Sequence, residues 1–158
     1  MHTICYQEWD ESTQRVVRTL KQYSLDTDEL FVRKLVNATV IQNRLLHHSS
    51  HESEDTGVHH IYASSFQPSD LDGYGAEVKP ALLERCDRSV FLETEFLYWN
   101  GRNFDLGEQL VRTTGSQDIA RLLLDHYLVK QNRTFESLYS VLDDDRNKVV
   151  LYMKEVHV

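Results

Sequence analysis

Apolar side chains recur at a helical period in the first third of the chain. Across residues 8–23 they return about every 3.6 positions, which indicates an amphipathic helix. A second helix is predicted at about residues 27–48, because Asp26 followed by Glu29 is typical of a helix start with a capping box. Since only a short connection separates them, we expect the two helices to form an antiparallel αα-hairpin.

The predicted second helix is apolar on two flanks. Val32, Val36 and Val40 follow one another at intervals of four residues on one flank, and other apolar residues occupy the opposite flank. A helix of this kind is packed on both sides. Either the first helix covers the three valines, which we favour because that helix must bury its own apolar face, or the valines bind a partner. Val32, Val36 and Val40 are therefore the candidate partner-binding residues.

The middle and the end of the chain are predicted to form a sheet. Residues 58–66 and 148–158 are rich in β-branched and aromatic side chains, which favours strands. Between two further strand-like runs, Asn100-Gly101 is the signature of a two-residue hairpin loop. That loop would place Leu97 opposite Phe104 across the hairpin.

The order of the predicted elements defines the fold class. A third helix is predicted at residues 117–131, and residues 134–142 fit either a helix or a strand. Because helices and strands do not alternate regularly, we expect an α+β fold, with the N-terminal αα-hairpin packed on a mostly antiparallel sheet and a further helix near the C-terminus. The length suits a single domain over residues 1–158, and no internal repeat is apparent.

The charge balance narrows the range of partners. The net charge of -8 argues against nucleic acid as a partner, since affinity for phosphate backbones comes from lysine and arginine. The apolar runs are too short to span a membrane, and the N-terminus lacks the apolar stretch of a signal peptide. With only two cysteines, the chain also lacks the composition of a disulfide-rich secreted domain. We therefore expect a cytoplasmic or nuclear protein.

Five of the eight histidines lie within residues 47–60, HHSSHESEDTGVHH. The part at 47–57 has no periodicity and is rich in Ser and Glu, which favours a mobile, solvated loop. If the second helix continued into it, His47 and His51 would share one helix face, and His59 could return from the next strand as a third ligand. Such a set could bind zinc or a similar divalent metal. A third interpretation is a surface whose histidines become charged together below about pH 6.5.

The sequence contains none of the common motifs for a catalytic nucleophile, a phosphate-binding loop or a dinucleotide. We therefore expect an intracellular, non-enzymatic protein-interaction module of adaptor or regulatory type, with a protein partner or a second copy of itself and no resident cofactor. One alternative is a metal-dependent enzyme or metal-binding protein that uses the histidine-rich stretch. Another is a small-molecule-binding domain with an aromatic pocket beneath the sheet.

Overall fold

Most residues of the protein lie in a single mixed β-sheet. A computed structural model describes residues 1–157, with 48% of the chain in strands and 20% in helices. The strands are β1 (His2–Asp10), β2 (Arg15–Leu25), β3 (Ala38–Ile41), β4 (Arg44–Ser53), β5 (Val58–Ser65), β6 (Glu93–Trp99), β7 (Phe104–Leu106), β8 (Tyr127–Lys130), β9 (Arg133–Asp143) and β10 (Lys148–Val156). The helices are α1 (Thr27–Leu35), α2 (Val78–Arg85) and α3 (Ser116–Leu123), and two 3₁₀ turns, Pro68–Asp70 and Gly75–Glu77, precede α2.

The sheet contains both parallel and antiparallel strand pairs. The order is β2-β1-β5-β4-β3-β9-β10-β6-β7, and β8 pairs with β9 outside this path. The β1–β5, β3–β9 and β6–β10 pairs are parallel, and the remaining pairs are antiparallel. The sheet is therefore mixed, and the predicted mostly antiparallel arrangement is wrong.

The predicted N-terminal αα-hairpin is also wrong, because the first predicted helix is a β-hairpin. Residues 8–23 form the end of β1, a turn and most of β2. The Asp10 carboxylate stabilises the turn by accepting hydrogen bonds from the backbone N–H and the hydroxyl of Ser12, at 2.9 and 2.7 Å. In β2, Val16, Val17 and Thr19 are β-branched residues that favour a strand. The residues that suggested a helix, Trp9, Val16, Leu20 and Tyr23, matched a helical period only by coincidence.

The second predicted helix begins where expected and ends early. Asp26 is the N-cap, and its side chain accepts a hydrogen bond from the backbone N–H of Glu29 at 2.9 Å. The helix ends at Leu35, since the β-branched run that follows pairs as β3 with both β4 and β9. A turn at Gln42 and Asn43, both with positive φ (51° and 61°), then leads into β4. This is the type I′ geometry of a two-residue hairpin, but the turn lacks the usual glycine. The sequence therefore gave no turn signal at this position.

Later elements follow the predictions in part. The strands at residues 58–66 and 148–158 are confirmed as β5 and β10, although Val158 lies outside the described residues. The ambiguous segment 134–142 belongs to β9. Residues 47–53, predicted as a mobile loop, belong to β4, and the third helix ends at Leu123, so that the end of its predicted span forms β8.

The hairpin at Asn100-Gly101 is confirmed with a different register. Its loop contains four residues, because the backbone N–H of Asn100 donates to the carbonyl of Asn103 at 3.1 Å. As a result Trp99 lies opposite Phe104, and Leu97 lies opposite Leu106 rather than Phe104. No helix of the described residues is long and apolar enough to cross a membrane.

The pairing pattern reveals that one structural unit occurs twice. In the first unit, β1 pairs with β2 and with β5, and β4 pairs with β5 and with β3. In the second unit, β6 pairs with β7 and with β10, and β9 pairs with β10 and with β8. Each unit has a helix, α1 or α3, between its second and third strands. The parallel pair in each joins residues 55 positions apart, Thr3 with Val58 and Glu93 with Lys148.

A short sequence match supports this repeat of a ββαβββ unit. Residues 40–44 (VIQNR) and 129–133 (VKQNR) differ at one position, and both stretches join the third strand of their unit to the fourth. In each, Gln and Asn adopt positive φ, 51° and 61° in the first unit and 52° and 62° in the second. The repeat lies in the strand pairing, and the sequence alone does not reveal it because so short a stretch matches between the two units.

The two units join through one strand pair and one helix pair. The end of β9 pairs with β3, and α1 packs against α3. On one face of the sheet, α1 and α3 cover the buried side chains of both units. On the other face, α2 covers a second core that includes Leu97, Phe104 and Tyr152. The central strands are thus buried on both faces.

A polar contact strengthens the join between the units. In the turn after β9, the Asp144 carboxylate accepts hydrogen bonds from Arg33 at 3.0 Å, from Lys21 at 3.2 Å and from the Tyr23 hydroxyl. Burial alone would raise the pKa of Asp144, but the hydrogen bond from Tyr23 and the charge of Arg33 outweigh it and hold the pKa below its ordinary value. The turn of the second unit is thereby tied to β2 and α1 of the first.

The next residue of the same turn supports the hairpin between β3 and β4. The Asp145 carboxylate accepts hydrogen bonds from the backbone N–H groups of Gln42 and Asn43, at 3.1 and 2.7 Å. Both donors belong to residues in a left-handed conformation, which side chains other than glycine adopt at some cost. The second unit therefore satisfies the exposed donors of a strained turn in the first.

We expect Gly101→Val to destabilise the protein by roughly 1–3 kcal/mol. Gly101 has a φ of +95°, which a β-branched residue tolerates poorly, and a Cβ there would meet no atom within 4 Å. The loss should therefore come from the backbone alone, and Gly101→Asn should recover much of it because Asn tolerates positive φ. Urea denaturation measures both variants, and an unchanged midpoint for valine would contradict the assignment.

Asp144→Asn should cost roughly 3 kcal/mol near neutral pH, because it leaves the largely buried Arg33 without a counter-charge. Since the folded state lowers the pKa of Asp144, its contribution is present above the unfolded pKa of about 3.9 and disappears as the pH falls through the folded value. The stability difference between the wild type and the variant should therefore shrink in acid. Asp118→Asn, at an exposed pair, is the control and should change little.

Candidate functional site

The three candidate partner-binding valines are buried within the chain itself. Val32, Val36 and Val40 expose 1%, 2% and 1% of their surface. Val32 and Val36 pack in the core beneath α1 and α3, whereas Val40 lies in β3 and faces the core beneath α2. They form no common stripe, since the predicted helix ends before Val40. The sheet and α3 cover Val32 and Val36, and α2 covers the core that contains Val40, so the predicted first helix covers none of the three.

The three candidate metal ligands are divided between the two faces of the sheet. His47 lies on the α2 face, where its ring stacks on Tyr139 and its Nδ1 lies 2.5 Å from the Tyr139 hydroxyl. His51 and His59 lie on the α1 face, beside Lys34. His47 and His51 are four positions apart and would share one face of a regular strand. The register of β4 against β5 shifts between His48 and Ser50, and this irregularity turns His51 to the other face. In residues 1–157, no three His, Cys, Asp or Glu side chains are grouped so that they could bind a metal ion.

A lysine organises the histidines on the α1 face. The Lys34 Nζ lies 2.7 Å from the Ser53 hydroxyl and 2.8 Å from Nδ1 of His59, and Nε2 of His59 lies 3.2 Å from Nδ1 of His2. Burial and the charge of Lys34 lower the pKa of His59 and of His51. A cation at this position favours neutral imidazoles that accept a hydrogen bond from it.

His48 is the most strongly perturbed of these histidines. Its Nε2 lies 2.7 Å from the hydroxyl of Thr39, which is fully buried in β3. Burial, followed by the charges of His51 and His47, lowers the pKa of His48 to about 3. The ring is therefore neutral at physiological pH and becomes a destabilising charge only in acid.

Other polar and aromatic groups that could contribute to a site have structural roles. Glu93 and Glu95 share one face of β6 and both accept hydrogen bonds from Lys148, at 2.9 and 3.3 Å. Burial raises the pKa of the Cys86 thiol to about 12, which leaves it protonated and a poor nucleophile. Several aromatic rings pack against one another under α2, with centroids 4.9–6.3 Å apart in the chain Tyr74, Trp99, Phe104, Tyr152, Tyr139.

An exposed groove with apolar walls lies between α1 and α3, where the two units join. Its volume is about 430 Å³, and its lining residues are Asp28, Phe31, Lys34, Leu35, Gln117, Ala120, Arg121 and Leu124. Two large apolar side chains stand at its walls, Phe31 with 50% and Leu124 with 63% of its surface exposed. Apolar walls with charged ends are the composition of a binding surface for another protein.

The sequence contained a signal for this groove that the helical pattern obscured. In α1, Leu30 and Val32 are buried against the sheet, so Phe31 between them must face away from it. Treating the segment as one long helix with a broad apolar face assigned Phe31 to the core. The correct end of the helix at Leu35 places Phe31 on the outer surface.

No protein-family model matches this chain, and neither a curated protein nor a solved structure is similar enough to count as a match.

Replacing His48 should make the protein less sensitive to acid. Because its folded pKa is lowered to about 3, the unfolded chain binds the extra proton first, so stability falls as the pH drops below the unfolded value of about 6.5. Between about pH 6.5 and 5, protonation linked to His48 should lower the free energy of unfolding by roughly 1–2 kcal/mol. We expect His48→Gln to remove that part of the loss, and urea midpoints at several pH values measure it. An equally steep decline in the variant would contradict the assignment; His126→Gln, at an exposed position, is the control.

Proposed function

We propose that this chain is a non-enzymatic protein-interaction module that binds an apolar surface of a partner protein in the groove between α1 and α3. The observation that carries the proposal is the exposure of Phe31 and Leu124 on opposite walls of one groove. Exposed apolar side chains scattered singly are ordinary, but a concave group of them is a feature of binding sites.

The composition of the groove suits a protein better than a small polar ligand. Phe31, Leu35, Ala120 and Leu124 supply apolar surface, and charged residues stand at the ends. Protein interfaces have this arrangement, with an apolar centre that includes aromatic anchors and a polar rim. Covering the half-exposed Phe31 side chain would remove apolar surface from water, which favours binding.

The position of the groove also supports the proposal. One wall comes from each of the two repeated units, and α1 and α3 are fixed by the sheet beneath them. A site built on rigid elements loses little conformational entropy on binding. The groove is therefore preformed, and a partner needs only to bring an apolar ridge, such as one face of a helix.

We further propose a reducing cellular compartment, the cytoplasm or the nucleus, as the setting. Cys5 and Cys86 are free thiols that belong to no disulfide. Free thiols persist where the surroundings are reducing.

A site-specific photo-crosslinker tests the function. A crosslinking residue at Gln117, which is exposed on the groove, should capture a defined partner in cells, and the same residue at the exposed Val129 on β8 should not. The cross-linked peptide identifies the partner, and purified partner should then bind the purified chain. Phe31→Glu should abolish both results.

Capture that is equal at positions 117 and 129, or binding that survives Phe31→Glu, would mean that the groove is not the interaction site. Leu83→Glu, at a partly exposed apolar position on α2 and away from the groove, is the matched control and should bind as the wild type does.

A further inference from the structure

We infer that the partner in the groove is a second copy of this chain, in a two-fold dimer centred on Phe31 of α1. This inference rests on the proposed function and names its partner. Three features of α1 lead to it: the spacing of its outward residues, the sign of their charges and the position of its aromatic residue.

Opposite charges flank Phe31 at equal spacing on the outward face of α1. Asp28 and Lys34 lie three residues before and three residues after it, and all three line the groove. At a rise of 1.5 Å per residue, each charge is about 4.5 Å along the helix axis from the aromatic side chain. A two-fold axis perpendicular to α1 through Phe31 makes the helices of two copies antiparallel. Asp28 of each copy then faces Lys34 of the other.

The two charges are available for this pairing. Within the described part of the chain, neither Asp28 nor Lys34 forms an ion pair. The ammonium group of Lys34 contacts Ser53 and His59, and it has three N–H donors, so one remains for a carboxylate. Each charge also suits its own end of the helix dipole. What singles out a second copy is that the opposite charges are equidistant from Phe31, so that one interface forms both pairs.

Phe31 and the groove complement each other across the same axis. In a two-fold interface the same patch faces itself, so every copy must provide both the ridge and the surface that receives it. Phe31 is the ridge, and the groove between α1 and α3 is beside it, with Leu124 on the far wall. A partner with a different sequence would need no such symmetry on this chain.

Reversing the charges one at a time tests the dimer with the full-length purified chain. We expect the wild type to be dimeric by sedimentation at concentrations where Asp28→Lys and Lys34→Asp are each monomeric, with the dissociation constant raised roughly ten-fold or more. The two-fold interface contains the contact between positions 28 and 34 twice. With Asp28→Lys each contact brings two lysines together, and with Lys34→Asp each contact brings two aspartates together. An equal mixture of the two variants should form a heterodimer, because it restores both opposite-charge pairs.

The controls separate the interface from the fold. Asp118→Lys, the same reversal on α3 outside the groove lining, should dimerise as the wild type does. Phe31→Ser should be monomeric with an unchanged circular dichroism spectrum, since Phe31 is already half exposed. If Lys34→Asp disturbs folding through Ser53 and His59, Phe31→Ser and Asp28→Lys still decide the question.

A wild type that is monomeric throughout the concentration range overturns the dimer. So does a dimer that the charge reversals leave intact, or a mixture of the two variants that stays monomeric. If the crosslink at position 117 captures a different protein and the chain is monomeric, the dimer is wrong and the interaction function stands. If position 117 captures nothing and the chain is monomeric, both are wrong.

Discussion

The turn between β9 and β10 determines how the two halves of this protein fit together. Its Asp144 carboxylate is largely buried with Arg33 of α1, and its Asp145 carboxylate accepts the backbone donors of the turn between β3 and β4. A buried ion pair adds little net stability but is costly to break from one side, so it acts mainly by specifying one arrangement. The arrangement that it specifies places β9 beside β3 and α1 beside α3. The continuous sheet and the groove both follow from that register.

The groove is a consequence of joining two copies of one unit side by side. Each helix covers the sheet of its own unit and uses its inner face to do so. When two such helices lie together, their inner faces merge into one core, and the space between their outer faces has nothing to fill it. An apolar groove at a junction of this kind requires no helix, strand or loop beyond the two helices themselves. It needs only an apolar residue at the outer wall, which Phe31 and Leu124 provide.

Sequence reasoning located several elements and misassigned the architecture. It found β5, β10, the start of α1 and the hairpin at Asn100-Gly101, because alternation, a capping carboxylate and a turn glycine are local signals. It failed in residues 8–23, where apolar side chains in two strands also fit the spacing of a helix. It failed again at Gln42 and Asn43, which form a type I′ turn without glycine. The misplaced end of α1 then misplaced Val40, His47 and His51, whereas Val32 and His59 lie in the predicted kind of element. Val40 was assigned to a helix face, although it lies in β3. His47 and His51 were assigned to one side of a helix, although β4 places these two histidines on opposite faces of the sheet.

The repeat was beyond single-sequence reasoning for a related reason. Its evidence lies in the pairing of strands that are 55 residues apart and in two turns that share Gln and Asn, and only the folded structure brings these together. The groove was missed for the same cause, since α1 and α3 are almost ninety residues apart in the chain. Tertiary packing holds a site together over such separations, and it produces little local signal in the amino-acid sequence.

The parallel pairing of β3 with β9 has a consequence for how the chain is made. A ribosome releases the first unit, which is complete at Ser65 and has β3 at its border, before β9 emerges from Arg133 onward, 133 − 65 = 68 residues later. During that interval the first unit has an unpaired strand edge, and Arg33 has no counter-charge. Exposed strand edges are sites where nascent chains associate wrongly, and contacts between residues distant in sequence form slowly. The short length of β3, only four residues, limits the surface at risk until the last hairpin closes over it.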